Sequence, residues 1–340
     1  MTFEELSEAF EKNSIQRFRA KQVREWLHTH LVLDYDEMLN LPKSLRSELS
    51  EKFPIVRCFV RGKQVASDGT VKMLYELQDG DYVECVIMKY KYGNSICIST
   101  EVGCKMGCAF CASTIGGFKR KLSAGEMLSE IYLAQKETGE RISHIVLMGM
   151  GEPLDNFDNV MRFITLVTDR EGLNISMRNI SLSTCGLVPQ IKELMKMRLQ
   201  LTLSVSLHAP NDEIRNKIMP VNRIYNTEEL LGVCREYTAQ TSRRISFEYA
   251  MLSGVNDSDE CARELASRLK GMLCHVNLIP VNEVDESPFR PSSKERVKAF
   301  TDILQKGGIN ATVRRKLGSD IDASCGQLRL KTIKSKGGTV

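Results

Sequence analysis

Cys104-Lys105-Met106-Gly107-Cys108-Ala109-Phe110-Cys111 sets three thiols within eight residues, spaced C-x3-C-x2-C, just after the strand-like run Ile96-Cys97-Ile98-Ser99. Gly103 and Gly107 allow so short a loop to fold back and turn its sulfurs toward one point. A structural zinc site wants four protein ligands, usually as two separated pairs. An iron–sulfur cluster held by three cysteines instead leaves one iron open to a substrate or cofactor. The missing fourth ligand favours the cluster. Zinc stays in play because Cys97 would supply a fourth sulfur, and three buried core cysteines are the bland alternative.

Outward from this loop the chain keeps a rhythm. Strand-like runs at Ile96 to Ser99, His144 to Met148, Asn179 to Ser183, Leu201 to Leu207, Arg244 to Met251, His275 to Ile279 and Ala311 to Arg314 are separated by helix-like segments. Such alternation signals βαβ units and a parallel sheet. The expected fold is α/β, a full or partial (β/α)6 barrel, with chemistry at the C-terminal ends of its strands. The cysteine loop follows the first strand, Gly149-Met150-Gly151-Glu152-Pro153 the second, Ser183-Thr184-Cys185-Gly186 the third, Ser206-Leu207-His208 the fourth and Pro280-Val281-Asn282 the sixth. Singly, these are a plain turn, a half-buried histidine and helix caps. Together they outline a cleft for an adenosine-containing cofactor, with bare glycine backbone for close approach and Glu152 for an ammonium group.

The chain has 340 residues, 42% hydrophobic and 26% charged, enough for one large domain and a smaller one. No apolar run reaches the length of a membrane span, and MTFEELSEAF is acidic and amphipathic, unlike a secretory signal. A cytoplasmic protein is expected. Eleven scattered cysteines, an odd number, fit a reducing compartment better than a disulfide framework. The net charge is only +4, but Lys89-Tyr90-Lys91-Tyr92, Lys119-Arg120-Lys121, Arg314-Arg315-Lys316 and a tail with Arg329, Lys331, Lys334 and Lys336 are clusters able to track phosphates, or else solvated surface. Phe3, Leu6 and Phe10, then Val23, Trp26, Leu27 and His30, recur at helical spacing, and a third helix follows Pro42. The expected organisation is an N-terminal helical accessory domain over 1–53, a small connecting antiparallel sheet within 54–92, a barrel core over 93–328 and a flexible basic tail over 329–340.

The cysteine spacing resembles the signature of the radical S-adenosylmethionine (SAM) enzymes. The resemblance sharpens with Ile96-Cys97-Ile98-Ser99, Val102-Gly103-Cys104, Gly149-Met150-Gly151-Glu152-Pro153-Leu154, Ser206-Leu207-His208-Ala209, Leu278-Ile279-Pro280-Val281-Asn282 and Asp320-Ile321-Asp322-Ala323-Ser324-Cys325-Gly326-Gln327-Leu328. Together these motifs resemble the RlmN family of dual-specificity methyltransferases, over about residues 80 to 330. The N-terminal helices resemble that family's accessory domain. The related Cfr family methylates C8 of the same rRNA adenine, whereas Pro153 and Thr312-Val313-Arg314-Arg315 look more like RlmN. Glu101 and Ser324 stand where glutamine and alanine are expected in the family.

The resemblance implies methylation of C2 of an adenine in 23S rRNA and in tRNA, with two SAM molecules per turnover. C2 lies between two ring nitrogens and is too electron-poor for polar attack on a SAM methyl group. In the family's route Cys104, Cys108 and Cys111 hold a 4Fe-4S cluster, and SAM at the open iron yields a 5′-deoxyadenosyl radical. A second SAM methylates the cysteine matching Cys325, the radical takes a hydrogen from that methyl group, and the resulting carbon radical adds to the ring. Cys97 matches the resolving cysteine that forms a disulfide with Cys325, and Glu84 matches the proton acceptor. Gly151, Glu152, Ser183, Ser206, Leu207, His208 and Asn282 match the SAM contacts. Cys58, Cys85, Cys185, Cys234, Cys261 and Cys274 read as buried fillers. The implied partners are the two RNAs and an electron donor such as flavodoxin, with no membrane and a monomeric chain. A zinc-stabilised, non-catalytic RNA-binding protein and a radical SAM enzyme for a small molecule are the alternatives of other classes.

Overall fold

The computed structural model describes residues 1–281, 288–315, 317–318, 320–321, 326, 328–329 and 332. Helices α1 (Phe3–Lys12), α2 (Phe18–His28) and α3 (Lys43–Lys52) open the chain. Thr2 and Glu5 start α1 with a reciprocal capping box, which satisfies two backbone N–H groups that a helix start leaves without partners. Leu6, Phe10, Val23, Met38, Leu41 and Leu49 share a core of their own, the first three at positions whose helical spacing predicts it.

Strands β1 (Cys58–Val65), β2 (Val71–Leu77) and β3 (Tyr82–Tyr90) follow as an antiparallel meander that turns at Gly69 and Gly80. Both glycines sit at positive φ, where a side chain would be strained. The meander is continuous with the main sheet, because the two-residue turn Lys91-Tyr92 leads β3 into β4 (Gly93–Cys97). Then come β5 (Glu101–Val102), the cysteine loop, α4 (Ala112–Ile115) and β6 (Arg120–Lys121), which pairs back on β5.

From there helix and strand alternate: α5 (Ala124–Thr138), β7 (Ile142–Leu147), α6 (Phe157–Thr168), β8 (Ile180–Thr184), α7 (Val188–Lys196), β9 (Thr202–Ser206), α8 (Asp212–Ile218), α9 (Thr227–Thr241), β10 (Ile245–Met251), α10 (Asp259–Leu269), β11 (Cys274–Pro280), α11 (Lys294–Lys306) and β12 (Ala311–Val313). Among the described residues the sheet runs β1-β2-β3-β4-β7-β8-β9-β10-β11-β12 and is parallel from β4 onward. The predicted strands all form, shifted by a few residues at most. Ile245, Phe247, Tyr249 and Met251 on one face of β10 and Glu248 and Ala250 on the other are all buried, as expected of a parallel strand covered on both faces. Residues of β3 and β4 at one side and of β11 and the chain beyond β12 at the other line one cavity, so the sheet is curled. Among the described residues no ladder joins β12 to β4, which makes the barrel partial. Also among them, no helix is long and apolar enough to cross a membrane.

Candidate active site

The strand ends converge as the sequence order requires. A cavity of about 380 Å3 is walled by Cys104, Cys108 and Cys111, by Cys97 at the end of β4, and by Gly151, Glu152, Ser183, Ser206 and His208. Leu207 faces the core instead, 1% exposed. Asn282 and Cys325 lie outside the described residues, as do Lys316, Asp322, Ser324, Gln327, Lys331, Lys334 and Lys336.

Gly103 and Gly107 both take positive φ. At Gly103 a Cβ would stand 1.7 Å from the Gly117 carbonyl oxygen, so the cysteine loop closes on itself only with glycine there. Burial pushes the Cys104 thiol up to about 12 and Cys108 further still. Such thiols become thiolates when a cationic centre replaces the lost water. Among the described residues no three His, Cys, Asp or Glu side chains close on a single ion. A cubane asks for something else, three sulfurs around one cavity with each on its own iron. Cys104, Cys108 and Cys111 around one cavity therefore fit a 4Fe-4S cluster.

Glu152 is a brace. Its Oε1 accepts from the Leu154 N–H at 3.0 Å and its Oε2 from the Cys185 N–H at 2.7 Å, tying the loop after β7 to the loop after β8. Its own N–H donates to Oε2 of the buried Glu101 at 2.9 Å. Burial raises Glu101 to about 8, so at neutral pH its carboxyl is largely protonated. A Cβ on Gly151 would meet the Glu101 side chain at 2.6 Å, which fixes a glycine there.

His208 has φ +56 and is buried. Its Nδ1 accepts from the Ala250 N–H at 2.9 Å, and burial lowers its pKa to about 3, so the ring is neutral with its proton on Nε2. Phe110 of the cysteine loop packs edge-on against it at 4.9 Å. Beneath lies Arg215, fully buried, which donates to the carbonyls of Cys185 (2.6 Å), Ser206 (3.1 Å) and Leu207 (3.1 Å) and to Oδ1 of Asn222 (3.0 Å). It fixes the ends of β8 and β9 against each other. Glu248 on β10 also reaches the cavity, held by Ser246 and Asn277. Cys185 lines the cavity too, whereas the sequence reads it as filler.

Glu84 does not line that cavity. It is 3% exposed, and its Oε2 lies 2.7 Å from Nζ of Lys72, itself wholly buried. The same oxygen accepts from the Gly326 N–H at 2.8 Å, and Oε1 accepts from the Arg329 N–H. Gly326, at φ +83, packs on α4: a Cβ there would stand 2.8 Å from the Ser113 N. The chain on the C-terminal side of Cys325 is thus tied both to β3 and to the helix that starts after Cys111.

The Lys119-Arg120-Lys121 cluster is committed to ion pairs within the chain, and of the tail cluster the described Arg329 is buried. Lys119 and Arg120 pair with Asp81, Asp79 and Glu126, and Lys121 with Asp155. Arg329 is 2% exposed. Arg314 and Arg315, by contrast, line the cavity.

Comparison with known proteins agrees with this geometry. Residues 98–266 match the Radical SAM superfamily, and residues 1–55 match the Ribosomal RNA large subunit methyltransferase N-terminal domain. A probable dual-specificity RNA methyltransferase RlmN of Clostridium tetani is 53% identical over 98% of this chain and 96% of its own length. One from Clostridium perfringens is 54% identical over 99% and 97%. The crystal structure of a radical SAM methyltransferase from Sphaerobacter thermophilus superposes with a TM-score of 0.93 at 44% identity, covering 96% of this chain and 97% of that one. With three cavity cysteines for a 4Fe-4S cluster and SAM as its cofactors, the chain belongs to the RlmN family of RNA methyltransferases within the radical SAM superfamily.

Proposed function

We propose that this enzyme methylates C2 of an adenine in 23S rRNA and in tRNA, through a methylated Cys325. The observation that carries the reading is the single cavity walled by Cys104, Cys108 and Cys111, by Cys97, and by Gly151, Glu152, Ser183, Ser206 and His208. Cys104, Cys108 and Cys111 hold the cluster. When bound, the cluster and SAM supply the carbon-centred radical that an electron-poor ring carbon requires. Gly151, whose missing side chain lets Glu101 pack against the loop, presents its backbone to the amino end of SAM, and the neutral His208 presents an N–H donor without adding charge. Arg215 and Glu152 keep the strand ends in register, which is positioning.

Cys97 resolves the protein–RNA thioether by attacking the sulfur of Cys325: the S–S bond forms as the bond from that sulfur to the methylene carbon breaks, and the carbon keeps the electron pair and takes up a proton to become the methyl group. Glu84 takes the C2 proton. In the present arrangement its oxygens are occupied by Lys72 and by the N–H groups of Gly326 and Arg329. Proton transfer therefore requires the segment carrying Cys325 to loosen from β3. The N-terminal helices bind RNA, and the target adenine leaves its stack to reach the cavity. A flavodoxin-type donor supplies electrons, and the chain acts as a monomer.

The test is anaerobic iron, sulfide and zinc analysis of the wild type and a Cys104/Cys108/Cys111→Ala variant, with methyl transfer to ribosomal RNA and mass spectrometry of Cys325. About four irons and four sulfides per wild-type chain, lost in the variant together with C2 methylation, are expected. Zinc without iron after reconstitution would sink the mechanism, and a C8 product would overturn the regiochemistry.

A further inference from the structure

The tip of the β3–β4 hairpin carries an aromatic ladder that nothing in the methyl-transfer route uses. Tyr90 and Tyr92 stack with ring centroids 4.9 Å apart and planes 7° from parallel. His144 on β7 packs edge-on against Tyr92, also at 4.9 Å. Tyr90 lines the cavity, while Tyr92 is 64% exposed. The ladder therefore runs from solvent to the cavity mouth. A two-residue turn permits many polar residues at its tip, yet this one holds an aromatic ring on a pre-stacked partner.

The charge around it is positive. Lys91 is exposed at the same tip, and Arg314 and Arg315 stand in the cavity wall. Lys89 is already paired with Glu140 at 2.9 Å, so Lys91 is the tip cation that faces solvent. An exposed flat ring beside cations is the combination by which proteins hold unpaired nucleotides, the ring for the base and the cation for the phosphate.

We propose that Tyr92, backed by Tyr90, is a stacking platform for an unpaired base next to the adenine that enters the cavity, with Lys91 on the intervening phosphate. The proposal rests on the RNA-methyltransferase reading and adds a residue-level RNA contact to it. Its occupant is one nucleotide of single-stranded character. Every base has a π-face, so the platform fixes where the strand lies without demanding a sequence. That suits an enzyme that acts on adenines in two different RNAs.

The experiment uses the cluster-loaded full chain under anaerobic conditions and an RNA stem-loop with 2-aminopurine beside a loop adenine, read by fluorescence and anisotropy. Wild type should quench the probe on binding. Tyr92→Ala should bind roughly 5- to 100-fold more weakly and lose most of the quench, while Tyr92→Phe stays within about twofold of wild type. Tyr92→Leu, which keeps apolar bulk against Tyr90, should lose the quench as Ala does, and thermal melts verify that each variant is folded. Lys91→Ala should lower the salt dependence of binding by about one counterion and keep the quench at saturation. Unchanged affinity and quench in folded Tyr92→Ala would overturn the platform and leave the RNA reading standing. A wild type that fails to bind the stem-loop would sink both.

Discussion

Two parts of the chain outside the barrel, the N-terminal helices and the residues around Gly318 to Arg329, are fastened to it by different chemistry. The helices dock through pairs of side chains. Arg24, 4% exposed, meets Asp169 at 2.7 Å, the Tyr132 hydroxyl meets His28 Nδ1 at 2.6 Å, Arg162 pairs with Glu5, and Lys136 approaches Glu37 at 3.6 Å. The later segment docks mainly through its backbone. Asp68 accepts from the Gly318 N–H and Asp320 from the Ser67 N–H, each at 2.9 Å, while Glu84 takes the N–H groups of Gly326 and Arg329. Of these pairs Arg24–Asp169 is buried, and separating it leaves charges without partners, whereas the exposed pairs add little. A backbone N–H let go from a carboxylate simply returns to water. The first attachment is built to last and the second to be released, as the proposed chemistry at Cys325 demands.

The sharpest way to break this contrast is at Lys72. The β2–β3 register opposes Leu74 to Glu84, placing Lys72 diagonally across from the carboxylate that anchors the segment. Lys72→Met leaves Glu84 buried without its cation, and removing one partner of a buried pair costs about 3–5 kcal/mol. Urea unfolding should register that loss. Limited proteolysis should cut near Arg329 sooner in the variant, because a buried carboxylate left without its cation is driven to rehydrate, and reaching water loosens its hold on the two N–H groups. A variant as stable and as resistant as wild type would show that Lys72 does not sustain the anchor.

A smaller effect is expected at Arg24. Asp169 is 14% exposed and keeps some access to water, so Arg24→Met should cost about 2–3 kcal/mol, below the full penalty of a closed pair. Because the N-terminal helices have their own core, calorimetry should show a separate, earlier transition for them while the barrel's midpoint holds. A single transition shifted as a whole would mean that helices and barrel fold as one unit and that the contrast in attachment is only local.

The barrel was legible because short strand-like runs alternate regularly with helix-like segments and its functional loops follow the strands' C-terminal ends in order. The cysteine loop and the cavity positions Gly151, Glu152, Ser183, Ser206 and His208 came with that rhythm. The Lys72–Glu84 pair did not, since Lys72 sits in Val71-Lys72-Met73 as any solvent-facing strand residue would, and only the cross-strand register brings it to Glu84. Arg215 was hidden for a similar reason. In Asp212-Glu213-Ile214-Arg215 it looks like surface charge on a short helix, and its partners are carbonyls that carry no side-chain signature. Tyr90 and Tyr92 were counted within a basic cluster, because strand pairing and not spacing stacks them.

The weakest handle on the comparison is pH, and it acts on the N-terminal attachment. Burial, aided by the charge of Arg24, lowers the pKa of His28 from its ordinary 6.5 to about 4. In the folded protein His28 stays neutral while the unfolded chain binds a proton, so its contribution to stability is complete above about 6.5 and is lost as pH falls toward 4. One pKa unit is worth about 1.4 kcal/mol, and His28 is only half-buried, so about 1 kcal/mol should disappear between pH 6.5 and 5.5. His28→Phe keeps an aromatic ring against Tyr132 and removes the titration. The stability difference between wild type and this variant, measured by urea unfolding at the two pH values, should shift by that amount in the variant's favour at the lower one. A constant difference would show that protonation of His28 does not loosen the helices and that their attachment is indifferent to acid in this range.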